Sequence, residues 1–199
     1  MMLSEELYPQ RVFYYFEQIA AIPHGSRNTK AISDFLVNFA KEHNLVWYQD
    51  ENNNVVIVKE ASAGYEAAEP IIIQGHMDMV CEKEKGVDID FEKDGLKLYI
   101  DGDFLKAEGT TLGGDDGIAV AYALALLDSQ EIAHPKLEVV ITVDEEIGML
   151  GADAIDLSML TGHTMLNIDS DVEGSFLTGC AGGMAVNVTL PIKRVMQSG

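Results

Sequence analysis

The residues best equipped for chemistry fall in four short clusters: His76 with Asp78, Asp115 with Asp116, Glu145 with Glu146, and Asp169. His76 and Asp78 follow Ile71-Ile72-Ile73-Gln74-Gly75, a β-branched run that reads as a strand buried on both faces. Residues two apart on an extended chain point the same way. His76 and Asp78 are therefore expected side by side at the strand end, with Met77 facing away. A carboxylate beside an imidazole is how metal sites orient a ligand histidine; a strand-end histidine bonded to an aspartate without metal has the same pattern. One aspartate before the apolar stretch Ile118–Leu127 would serve as a helix cap. Two of them, between glycines in Gly113-Gly114-Asp115-Asp116-Gly117, exceed what a cap requires. Asp144-Glu145-Glu146 after a strand reads by itself as a solvated loop.

The elements that must position these groups can be followed in order. A helix is expected over 5–22, with Pro9 in its first turn, where proline is tolerated. A second runs from Thr29 to His43, with Ile32, Phe35, Leu36, Phe39 and Ala40 on one stripe. Leu45–Gln49 and Val55–Lys59 form a hairpin around Asn52-Asn53-Asn54, and Leu96–Ile100 and Phe104–Ala107 form another around Asp101-Gly102-Asp103. Strands follow at Leu137–Val143 and Met165–Ile168 with a helical piece around Gly151–Leu160 between them, then strands at Ser175–Thr178 and Met184–Leu190. Strands alternating with helices argue for an α/β fold with a mixed, largely parallel sheet flanked by helices. Ligands of such sheets bind beyond the carboxyl ends of the strands. His76/Asp78, Glu145/Glu146 and Asp169 all follow strands, so they can converge with Asp115 on one rim.

Composition narrows the partners. The 199 residues carry 33 acidic against 13 basic side chains, a formal charge of -20 that excludes nucleic acid and anionic membrane surfaces as partners. Two cysteines, Cys81 and Cys180, make no disulfide framework. No apolar run approaches the ~20 residues of a spanning helix, and the acidic start Met1–Glu6 lacks a signal-peptide pattern. The expected setting is cytoplasmic.

One imidazole and several carboxylates around a small volume need cations. The donor set suits zinc, manganese or cobalt better than calcium. A carboxylate shared between two metals holds them ~3.5–4 Å apart, and a spare glutamate beside a ligand glutamate can act as general base.

Four segments in order, Gly75-His76-Met77-Asp78-Met79-Val80, Gly109–Gly117, Thr142-Val143-Asp144-Glu145-Glu146-Ile147-Gly148-Met149 and Asn167-Ile168-Asp169-Ser170, together resemble the M20 di-zinc metallopeptidases, most closely their aminoacyl-histidine (Xaa-His) dipeptidase branch. The resemblance implies a zinc-exopeptidase-like catalytic domain and hydrolysis of dipeptides, with Xaa-His the expected class. It implies two Zn2+ (Co2+ or Mn2+ as substitutes), with His76 and Asp169 on one, Asp115 bridging and Glu146 on the second. It casts Glu145 as general base and acid and Asp78 as the orienting group for His76, and it implies a cis peptide between Asp115 and Asp116. Family members are longer, with a dimerising lid domain followed by more catalytic domain that supplies a second-site His. Residues 1–184 are read as the N-terminal part of the catalytic domain and 185–199 as the start of the lid. The second metal site is then incomplete here, and His24, His43, His134 and His163 are ordinary loop or helix-end residues. The full-length family is expected to be a homodimer acting on small peptides. A tripeptide aminopeptidase of the same family, or a metal-binding fragment without activity, are the other readings.

Overall fold

The computed structural model describes residues 3–170, 172–179, 182 and 186–193. A short 3-10 turn at Leu3–Glu5 precedes helices α1 (Gln10–Ala20) and α2 (Lys30–Glu42). Strands β1 (Val46–Gln49), β2 (Val55–Lys59), β3 (Ile71–His76), β4 (Leu98–Asp101) and β5 (Phe104–Ala107) follow, then helix α3 (Gly114–Asp128), strand β6 (Leu137–Thr142), helix α4 (Leu150–Ala154) and strand β7 (Thr164–Asn167).

The main sheet has the order β1-β2-β6-β3-β7, and β4 and β5 form a separate hairpin. The expected mixed sheet is present: β1, β2 and β6 pair antiparallel in turn, whereas β3 is parallel to both β6 and β7. This parallel core decides where the chemistry can sit. His76 pairs with Thr142, and Gln74 with Asn167, so the carboxyl ends of three strands share one edge. The residues that follow them emerge there together.

One sheet face carries Val55, Ile57, Ile73, Leu137, Val139 and Ile141, buried against α1, α2 and α3. The helices present the stripes their spacing predicts: Val12, Phe16 and Ile19 from α1, Ile32, Leu36 and Phe39 from α2. α3 has apolar residues on all sides and is the central helix, with Ala121 and Leu124 fully buried. The other face carries a smaller cluster of Val56, Val58 and Val140 under Ile155, Met159 and Leu160.

Three expectations shift. α1 begins at Gln10, with Pro9 as its N-cap after a cis Tyr8–Pro9 bond. Pro9 donates no N–H but its carbonyl accepts from Val12 and Phe13, which is the chemistry of a cap. The helical piece after β6 is only the five residues of α4; Ile155 is extended and the remainder to Leu160 is irregular. No strand forms at Ser175–Thr178 or over 186–190, where Phe176, Val186, Val188 and Leu190 are all exposed. A strand needs a partner edge and a surface to cover, and neither meets these segments among the described residues. Met184, Cys180 and the 184/185 boundary lie outside the described residues.

Candidate metal centre

His76 ends β3 and is almost wholly buried. Its main-chain N–H donates to Asp116 Oδ2 at 3.2 Å. Its ring Nδ1 lies 2.9 Å from the Asp78 carbonyl oxygen and 3.5 Å from Asp78 Oδ1, so the shorter contact to the carbonyl is the hydrogen bond. That fixes Nδ1 as a donor and turns Nε2 outward. Nε2 faces Asp115 Oδ1 at 3.1 Å and Glu145 Oε2 at 3.8 Å.

Asp78 is buried and serves several neighbours. Its Oδ1 accepts the Glu145 N–H at 3.0 Å, and its Oδ2 accepts the Ser26 hydroxyl at 2.8 Å. Burial works against the Asp78 charge, but the His76 ring and these two donors outweigh it and hold the carboxyl below its usual range. The Ser26 contact ties the Pro23–Ser26 loop to the strand end, a role no motif in the sequence announced.

Asp115 and Asp116 sit in a non-helical kink at the start of α3, joined by the expected cis peptide. Asp115 is exposed; Asp116 is buried beneath it. Gly75 makes room, since a Cβ there would lie 2.6 Å from Asp116 Oδ2. Glu145 and Glu146 lie in the loop after β6, and Asp169 two residues beyond β7, exposed beside Asp115 and Asp116 in a cleft of about 180 Å³. A further cavity of about 300 Å³ adjoins Glu145 and Asp169 on the sparsely covered outer sheet face, between Ile72, Val140, Ile155 and Met165.

Two groups of ligand atoms lie within 4.8 Å of one another among the described residues: His76, Asp116 and Asp169, and His76, Asp115 and Glu146. The structure thus gathers His76, Asp115, Glu146 and Asp169 at one rim with Glu145 and Asp78. It adds Asp116, for which the doubled aspartate was the only signal in the sequence. Asp115 belongs to one group and Asp169 to the other. His24 is buried with Nδ1 2.6 Å from the Ile22 carbonyl oxygen, and His134 Nδ1 lies 2.7 Å from that of Pro135. Neither belongs to a group.

The electrostatics of the rim follow from burial and the crowding of carboxylates. Burial pulls the His76 imidazole down, yet Asp78 and then Asp116 hold it up at about 9. Burial, partly offset by His76 and reinforced by Asp169 and Asp115, pushes Asp116 up to about 8. Burial first, then surrounding carboxylates, raises Glu145 and Glu146 as well. Carboxylates crowded this closely resist shared ionisation unless a cation enters. An imidazole Nε2 with carboxylate oxygens fits a zinc-class ion.

The match to known proteins is decided by one segment. Residues 72–183, over half of the chain, match the family described as peptidase family M20/M25/M40. This chain belongs to that family. The chain is 40% identical over 189 residues to the "Cytosol non-specific dipeptidase" of Escherichia coli, covering 95% of this chain and 39% of that protein. It superposes on the aminoacylhistidine dipeptidase of Vibrio alginolyticus with a TM-score of 0.83 at 40% identity, covering 86% of this chain and 35% of that one. A tripeptidase from Staphylococcus aureus shares the fold at 24% identity and TM-score 0.68, covering 82% of this chain and 44% of that one. This M20 chain therefore spans less than half the length of each of these relatives. No helix of the described residues is long and apolar enough to cross a membrane.

Proposed function

We propose that this chain is part of a metal-dependent dipeptidase that hydrolyses Xaa-His dipeptides by attack of water on the peptide carbonyl. The observation that carries the reading is the convergence of His76, Asp115, Glu146, Asp116 and Asp169 on one strand-end rim, with Glu145 held beside them. Likeness over 95% of the chain to a protein named a non-specific dipeptidase supports dipeptides as substrates, and likeness to one named an aminoacylhistidine dipeptidase supports Xaa-His among them.

His76, Asp115, Glu146 and Asp169 would hold two zinc ions, with Asp115 shared between them. A divalent ion there supplies Lewis-acid chemistry, polarising a carbonyl and making a water more acidic. The remaining work belongs to side chains. Asp78, held by Ser26, fixes the His76 ring through its carbonyl and the Glu145 main chain through its carboxylate. Glu145, its carboxyl raised by burial and then by neighbouring carboxylates, takes a proton from the attacking water and returns it to the departing amine. A tripeptide aminopeptidase of the same family is the alternative drawn from the resemblance; the tripeptidase neighbour at 24% identity bears on the fold alone. Residues 1–184 are assigned to the catalytic domain and 185–199 to the start of a lid. The whole protein is assigned to the cytoplasm as a homodimer, on family resemblance.

The test is Glu145→Gln in the full-length protein, assayed on Xaa-His dipeptides with metal counted by elemental analysis. Hydrolysis should fall at least a hundredfold, in the range general bases contribute, about 10²–10⁴, while metal content stays unchanged. Loss of metal in that variant, or a parent protein inert toward dipeptides, would overturn the assignment.

A further inference from the structure

The loop that carries both glutamates is stapled at its base by a buried side chain far away in sequence. Asn54, at the end of the β1–β2 turn, is fully buried. Its Oδ1 accepts the Val143 N–H at 3.0 Å, and its Nδ2 donates to the Gly151 carbonyl at 3.1 Å. Val143 immediately precedes the loop 144–149, and Gly151 is the second residue of α4 beyond it. Gly151 N–H also donates to the Val143 carbonyl at 3.0 Å, so the two ends are drawn together and one amide spans both. The other hydrogen of Asn54 Nδ2 goes to Asp50 Oδ2 at 2.7 Å, which fixes the amide's orientation. A Cβ on Gly151 would overlap the Val143 carbonyl and Asn54 Oδ1, so only glycine lets the amide in.

The loop between these ends is held partly by its own main chain, with the Gly148 and Met149 N–H groups donating to the Glu145 carbonyl at 2.9 Å and the Leu150 N–H to that of Asp144 at 3.2 Å, and partly from outside. Asp144 and Met149 both adopt left-handed backbone, at φ 54° and 57°, a region side chains rarely occupy unless the surroundings impose it. From outside the loop come Asn54 at the base, the Arg27 N–H on Asp144 Oδ1 at 2.6 Å, and Asp78 on the Glu145 N–H. Among the described residues outside the loop, only Asn54 is hydrogen-bonded to both ends.

We infer that Asn54 is a positioning residue for Glu145 and Glu146, setting where the general base and one metal-ligand carboxylate stand without touching either. This rests on the proposed roles of those glutamates. Hydrogen-bond partners directly behind a ligand typically alter metal affinity about 10- to 100-fold; Asn54 stands one step further back, acting through the loop backbone at Val143 and Gly151.

The test uses Asn54→Ala, which removes the amide and its bonds to Val143, Gly151 and Asp50, and Asn54→Ser, which keeps a hydroxyl but loses the reach to both ends. Hydrogen exchange of the metal-free chain is followed by mass spectrometry, and Co2+ affinity by competition with a chromophoric chelator. Exchange over 143–151 should accelerate at least tenfold in both variants, with α3 and β3 within threefold of the parent, and Co2+ affinity should fall at least tenfold. Unchanged loop exchange overturns the inference. Acceleration everywhere at once also overturns it, since Asn54 would then support the whole fold. A loosened loop with parental Co2+ affinity overturns it too. Glu146→Gln is the separate control: if it leaves Co2+ affinity unchanged, the ligand assignment fails, and the exchange pattern still judges the staple.

Discussion

Glu138 gives the sharpest quantitative prediction. It lies in β6 on the smaller sheet face, with no exposed surface, at the end of the strand away from the metal centre. Its carboxylate accepts the Thr161 N–H at 2.9 and 3.0 Å, the Thr161 hydroxyl at 2.6 Å, the Gly162 N–H at 2.9 Å and the Lys136 ammonium at 2.8 Å. Burial opposes the charge, but Lys136, Thr161 and Gly162 outweigh it and hold the carboxyl at about 2, against an ordinary 4.5. A depressed folded value means the ionised form favours the fold. The contribution is full above about 4.5 and is lost as pH falls through about 2. At about 1.4 kcal/mol for each pH unit between the two values, it amounts to about 3 kcal/mol at neutral pH. Glu138→Gln removes the charge and sets an amide NH2 against main-chain N–H donors. Urea unfolding at pH 7 should show a loss of about 3 kcal/mol. The gap between parent and variant should narrow by about 2 kcal/mol between pH 5.5 and pH 3. A loss under about 1 kcal/mol at pH 7, or a gap that is the same at both ends of that range, would refute the reasoning, because the carboxylate would then be held no better than in the unfolded chain.

Other expectations concern the rim. Asp115→Asn should lower Co2+ affinity at both positions, and Asp116→Asn should cost less; a larger loss in the Asp116 variant would move the bridging role to the buried aspartate. Gly75→Ala should destabilise the chain by about 1–3 kcal/mol, because its Cβ displaces the Asp116 carboxylate from the His76 N–H; a thermal midpoint equal to the parent's would show that Asp116 is free to move aside.

Much of the molecule follows from local pattern. The apolar stripes of α1 and α2 appear where 3.6-residue spacing puts them, because a helix buries whichever face its sequence makes apolar. The apolar runs at 71–73 and within 137–143 become the parallel pair, with one face packed on the helices and the other under the smaller cluster. The doubled aspartate exceeds what a cap needs, but Glu145 and Glu146 alone read as a solvated loop; His76, Asp115, Glu145, Glu146 and Asp169 could be named together because four segments in order resemble the M20 family. The sequence could not say that Asp116 lies beneath Asp115, that Asp78 spends its carboxylate on the Glu145 main chain, or that Asn54 and Ser26 hold the site from 52 to 97 residues away. Hydrogen bonds of that kind depend on which strands neighbour one another and in what register. Local propensity is blind to both, since a residue's spacing fixes which way it points but only the assembled sheet fixes what it meets.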